Sequence, residues 1–195
     1  MTWKDVTLRQ FLELQKLVDI EDETDRMVAI AELFLGEDVT SLPIDQFGKK
    51  LQELNFLKEE LPTNHLVKNV IINNHKYKID ALVGHINTAQ YIDFTNYMKD
   101  ENQFAKILSV FFIPEGHKYN DGYDMEQVIN DMYDLPMDIV NSESFFFKRQ
   151  FSKFIEIFQS YSLKQLKKTN LPKDVKKNLK IVIKGSTNLA FSHLS

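Results

Sequence analysis

Histidines are the residues of this 195-residue chain best suited to acid–base or metal chemistry near neutral pH. They are His65, His75, His85, His117 and His193. No two stand i, i+4, the spacing that sets a zinc-binding pair on one helix face. The even spacing of His65, His75 and His85 crosses a hairpin and two loops and so shares no face. Asn120-Asp121-Gly122-Tyr123-Asp124-Met125-Glu126 invites a calcium reading, but lacks the 1, 3, 5 oxygen ladder and the bidentate Glu at position 12. It reads as a turn and a helix cap. The acidic runs Glu21-Asp22-Glu23 and Glu59-Glu60 sit near expected helix ends, where the first favours a macrodipole and the second is solvated. The six glycines are isolated, so no phosphate-cradling loop or dinucleotide fingerprint can be assembled. With no cysteine and no Gly-x-Ser-x-Gly elbow, neither a thiolate nor an elbow serine offers a nucleophile. The expectation is a non-enzyme without catalytic residues, metal, cofactor or small-molecule ligand.

Charge is the second chemical feature. Residues 1–147 carry 13 basic and 26 acidic side chains; residues 148–195 carry 11 and two. The halves therefore stand at −13 and +9 within a chain of net charge −4. Lys164, Lys167, Lys168, Lys173, Lys176, Lys177 and Lys180 form the candidate polyanion contact. Lysine attracts phosphate without the bidentate geometry that reads bases, so any DNA contact is expected to be non-specific and salt-dependent. The other reading is that the basic end packs beside the acidic body of its own chain or of a sister subunit.

The third feature is aromatic. The chain has 15 Phe and seven Tyr. Phe147, Phe151, Phe154, Phe158 and Tyr161 follow a 4-3-4-3 spacing, which places them on one helical stripe. Phe145, Phe146 and Phe147 point three ways from one helix, so a single-sided core cannot hide all of them. Either they sit deep among several helices, or Phe145, Phe146, Phe147, Phe151, Phe154 and Phe158 supply a protein interface.

These residues need a scaffold, and the pattern predicts a mainly α bundle of about seven helices with one small β-hairpin near 68–80. Residues 1–168 form the helical domain: a three-helix part over 7–61, the hairpin over 68–80, and aromatic-rich helices over 87–168. Residues 169–195 are a basic extension. Thr7-Leu8-Arg9-Gln10 is a capping box, Asp22 a second cap, and Gly36 a helix stop. A third helix starts near Pro43 and carries Ile44, Phe47, Leu51 and Leu54 toward Leu61-Pro62. Asn73-Asn74 tolerates the positive φ of a two-residue hairpin between Val70–Ile72 and His75–Ile79. Val70, Ile72, Tyr77 and Ile79 then share a face.

Asn87-Thr88-Ala89-Gln90 caps a fourth helix. Phe104, Ile107, Leu108 and Phe111 mark a fifth, stopped by Pro114. Met125, Val128, Ile129 and Met132 mark a sixth. A short turn over 136–140 leads to the phenylalanine helix at about 144–168. Residues 175–184 fit either helix or strand, and 185–195 read as a tail that orders only when held.

Length allows one good core. Hydrophobic residues at 43% and charged residues at 27% lie in the globular range. No apolar run reaches the roughly 18–20 residues of a membrane span, and the start lacks a signal-peptide core. A soluble protein made in a cytoplasm is expected.

The segment order carries a resemblance. Thr2-Trp3-Lys4-Asp5-Val6-Thr7-Leu8-Arg9-Gln10-Phe11, Tyr77 ahead of Ile86-Asn87-Thr88-Ala89-Gln90-Tyr91-Ile92-Asp93-Phe94, then Phe111-Phe112-Ile113-Pro114 and the Phe-Phe near 145 resemble small virion or assembly proteins of tailed phages. The crAss-like phages of gut bacteria and related tail-assembly-chaperone-like proteins are the nearest group. The likeness spans most of residues 1–160 and carries no catalytic residue. It implies a helical protein made in the host bacterial cytoplasm and carried in the virion near the portal or tail as cargo. Its partners would be other phage structural proteins and copies of itself. The alternative is a chaperone not retained in the particle.

Overall fold

The structure is a computed structural model that describes residues 1–79, 86–99, 103–144 and 146–147, and, further on, residues 163, 164, 166–168, 172, 175–177 and 180. Helices dominate, and a small antiparallel sheet of three strands lies among them. The elements are α1 (Leu8–Leu17), α2 (Glu23–Leu35), α3 (Ile44–Glu53), β1 (Asn69–Ile72), β2 (His75–Ile79), α4 (Thr88–Tyr97), α5 (Phe104–Ser109), β3 (Phe112–Pro114) and α6 (Met125–Met132). A seventh helix, α7, runs through residues 137–144 and continues at 146–147. Residues 145 and 148–162 of the expected phenylalanine helix, with Phe145, Phe151, Phe154, Phe158 and Tyr161, lie outside the described residues. So do Lys173, His85, His193 and the tail.

Local chemistry sets the helix starts. Thr7 and Gln10 form the reciprocal capping box: Gln10 N donates to Thr7 Oγ1 at 3.2 Å and Thr7 N to Gln10 Oε1 at 3.0 Å. Asp22 accepts from the amides of Thr24 and Asp25, and Gly36 closes α2 at φ 67°, where a Cβ would be strained. Asn87 and Gln90 repeat the box on α4. The Gln90 amide also donates to Val110 O at 3.0 Å, tying α4 to the end of α5.

The hairpin turns through Asn73 (φ 49°) and Asn74 (φ 65°), the two positive-φ positions of a primed turn. Its register pairs Val70 with Tyr77 and Ile72 with His75. Val70, Ile72, His75, Tyr77 and Ile79 therefore face inward together, while Ile71, Lys76 and Lys78 face out.

Three expectations change. The fifth helix does not reach Pro114. It ends at Ser109, and Phe112–Pro114 pair antiparallel with Tyr77–Ile79 as a third strand. A hairpin alone is marginal in water, and its open β2 edge is closed by this chain's own strand. Pro114, which has no amide to give, ends the strand. The third helix stops at Glu53, because Leu54 leaves helical geometry and a 3₁₀ turn, Asn55–Lys58, follows. That tighter turn buries Leu54 and Phe56, and sets Phe56 edge-on to Trp3 at 5.1 Å and to Phe34 at 5.8 Å. Finally, the turn expected over 136–140 is the first part of α7.

The chain closes on itself at α1. The opening amides of a helix have no partner within it. Here Leu8 N donates to Leu135 O at 2.9 Å and Arg9 N to Tyr133 O at 2.8 Å. Met137 N returns a bond to Val6 O at 2.8 Å. The start of α1 is thus spliced onto the link between α6 and α7. Val6, Leu8, Met132 and Leu135 are fully buried around this junction and belong to one contiguous apolar cluster. In the same cluster Phe111 stacks on Phe147 at 4.2 Å and meets Phe94 edge-on at 5.4 Å.

Candidate functional site

Buried ionisable groups are where a fold concentrates electrostatic work, and among the described residues three carboxylates are buried: Asp131, Asp138 and Glu143. Each meets the segment 61–79, which lies across α6 and α7.

Asn73, His75 and Tyr77 alternate along the hairpin, so all three point the same way. Gln127 and Asp131 stand i, i+4 on α6. The two sets meet. Asp131, wholly shielded from solvent, accepts from the Tyr77 hydroxyl and from His75 Nδ1 at 2.6 Å through Oδ2. Through Oδ1 it accepts from Asn73 Nδ2 and Gln127 Nε2, each at 3.0 Å. Asn73 Nδ2 also reaches Asp134 Oδ2 at 2.9 Å, and Asp134 pairs with Arg9 of α1 at 3.3 Å. Burial alone would raise the Asp131 pKa, but the donors Tyr77, Asn73, His75 and Gln127 together hold it below the ordinary aspartate value. Burial pushes the Tyr77 hydroxyl well up, and the bond to Asp131 pushes it further.

The second set laces 61–67 onto α7. Asn141 Nδ2 donates to Pro62 O at 2.9 Å, and Ser142 Oγ donates to the same carbonyl at 3.2 Å. His65 N donates to Ser142 Oγ at 3.0 Å, and Val67 N to Glu143 Oε1 at 3.0 Å. His65 Nδ1 meets Asp138 Oδ2 at 2.5 Å. Burial raises the Glu143 pKa above the ordinary glutamate value, while the Val67 amide and nearby His65 pull it back in part.

His75 and His65 thus share a geometry. Each ring is about half exposed (side chains 50% and 43%), with Nδ1 held by a buried aspartate. That arrangement fixes ring orientation and, among the described residues, leaves Nε2 without a hydrogen-bond partner, the geometry a general base needs. Among the described residues no side-chain hydroxyl is bonded to either ring, and no group of three or more His, Cys, Asp or Glu could hold a metal ion. The Asn120–Glu126 loop serves α6: Asp124 caps it by accepting from Glu126 N at 3.0 Å and Gln127 N at 3.2 Å.

Of the candidate interface residues, Phe147 is buried against Phe111 and Phe146 is half-buried beside it. Among the candidate polyanion contacts, Lys164, Lys167, Lys168, Lys177 and Lys180 are exposed and Lys176 is half-buried. The buried carboxylates escaped the sequence reading. One signal for them was present: Tyr77 falls on the inward face of the hairpin, where a buried hydroxyl needs a partner.

The chain matches no family model, no curated protein and no solved structure. Among the described residues no helix is long and apolar enough to cross a membrane.

Opposite pKa shifts give opposite pH dependence. The lowered value of Asp131 means its stabilisation is present above the ordinary aspartate range and is lost as pH falls through its folded value. Asp131→Asn is predicted to cost about 3 kcal/mol in urea unfolding at neutral pH, a difference that shrinks as the solution is acidified. The raised value of Glu143 means its contribution is present in acid and is lost as pH rises through its folded value. Glu143→Gln keeps an acceptor for Val67 N, so stability at neutral pH should hold or rise by up to about 1 kcal/mol; a clear loss contradicts this assignment.

Proposed function

We propose that this chain is a non-enzymatic structural or assembly protein of a tailed phage, carried in the virion at the portal or tail and acting through protein–protein contacts. The observation that carries the contact role is α3. Helices of about ten residues are marginal in water unless an amphipathic face is covered. α3 has no side-chain N-cap and not one of its ten residues is buried. Ile44 at its start is 84% exposed, while Phe47 and Leu51 are half-covered. Ile71 on the outer face of β1, one of the two edge strands of the sheet, is 66% exposed and adds a second apolar projection. The buried carboxylates support the same reading, since their acceptor capacity is used in holding segment 61–79 in place. The phage assignment is supported by the resemblance of residues 1–160 to small virion and assembly proteins. Mass spectrometry of purified particles tests it: the chain is expected among the virion proteins. Its absence there removes the cargo role and leaves that of a chaperone.

A second reading is favoured by the exposed lysines at 164, 167, 168, 177 and 180. They would make non-specific contact with DNA. Filter binding from about 50 to about 300 mM salt is expected to show retention that falls steeply as counterion release weakens. No retention at low salt ends that reading.

A further inference from the structure

We infer that α3 pairs antiparallel with α3 of a second copy of this chain, about a two-fold axis at Gly48. The inference rests on the contact role proposed above and names its partner.

Ile44, Gly48 and Leu51 recur at a 4-3 spacing and so share one stripe of α3. Gly48, Leu51 and Asn55 line an open groove of about 400 Å³ between α2 and α3, whose other wall holds Met27 and Ile30. Ile44 lies at the far end of the same stripe and projects into solvent. One helix therefore carries a knob at its N-terminal end and, toward its C-terminal end, a partly apolar groove that Glu23, Arg26 and Lys58 also line. A parallel partner would set knob on knob. An antiparallel partner sets each Ile44 into the other copy's groove, and this happens twice by symmetry.

Two further features fit this partner. Gly48 at the axis has no atom within 4 Å of where a Cβ would stand, so two helices can approach closely there. Charge is also self-complementary. Asp45 and Lys49 lie on the same flank of the stripe, and both are exposed. Antiparallel pairing brings Asp45 of one copy beside Lys49 of the other at both ends of the contact. The antiparallel helix dipoles add to the match.

Sedimentation equilibrium of the full chain from about 5 to about 200 µM reads the pairing, a range suited to a contact built on a single helix. The wild type is expected to pass from monomer to dimer across that range. Ile44→Asp and Gly48→Gln are each expected to stay monomeric, with unchanged circular dichroism, because Ile44 is exposed and open space surrounds a Cβ at Gly48 in the isolated chain. Asp45→Lys or Lys49→Asp alone should weaken pairing about tenfold or more, and the double reversal should restore it to within about threefold of wild type. Three results would overturn the inference: a wild type monomeric throughout, a dimer indifferent to Ile44→Asp and Gly48→Gln, or a double reversal no better than the single ones. A monomeric wild type still found in purified particles would overturn this pairing and leave the contact role standing.

Discussion

A carboxylate sealed from water must be given donors or be neutralised, and Asp131 is given four. Three come from one face of the hairpin and the fourth from the preceding turn of its own helix. The hairpin therefore cannot slide by one residue: such a slip would turn Asn73, His75 and Tyr77 outward and leave the charge bare. Register within the hairpin follows from its two-residue turn, and its alignment on α6 is held by an acid 54 to 58 residues away. The apolar partners alone, Val70, Ile72 and Ile79 against the core, would hold the face but not its alignment with α6.

The rest of the chain is arranged around the same region. α1 begins on carbonyls at the end of α6, and Arg9 reaches Asp134, which also receives Asn73. Segment 61–67 is laced to the first turns of α7 through Asp138, Asn141, Ser142 and Glu143. Residues 125–144 are thus met from the N-terminus, from the middle of the chain and from the sheet. Long-range polar bonds to this stretch complement the stacked rings of Phe94, Phe111 and Phe147. What this leaves at the periphery is α3, with Ile44 exposed and Phe47 and Leu51 half-covered, and on its Ile44–Gly48–Leu51 stripe the proposed self-contact is built.

Features written in neighbouring residues were legible in the sequence. Thr7–Gln10, Asp22, Gly36, Asn73–Asn74 and Asn87–Gln90 each act within four positions, and the structure places a cap, a stop or a turn at each. Features that depend on distant partners were not. Phe104, Ile107, Leu108 and Phe111 have helical spacing, yet the strand edge left open by β2 claims Phe112–Pro114 and ends the helix early. Asp131 lies on α6 among Val128, Ile129 and Met132, where an acid reads as the solvated side. Nothing local marks it as buried; its partners come from a hairpin that a linear reading does not place against it. The histidines were weighed for metal on their spacing alone, which misses the aspartate behind His65 and the one behind His75.

Native-state hydrogen exchange is the most direct test that the hairpin and α6 are one cooperative unit joined at Asp131. The account predicts that the β2 amides, Tyr77 and Ile79 among them, exchange with the same opening free energy as the buried turn of α6, and that both equal the free energy of global unfolding. If the hairpin amides exchange through a far easier opening while α6 stays protected, Asp131 is not what holds the fold together.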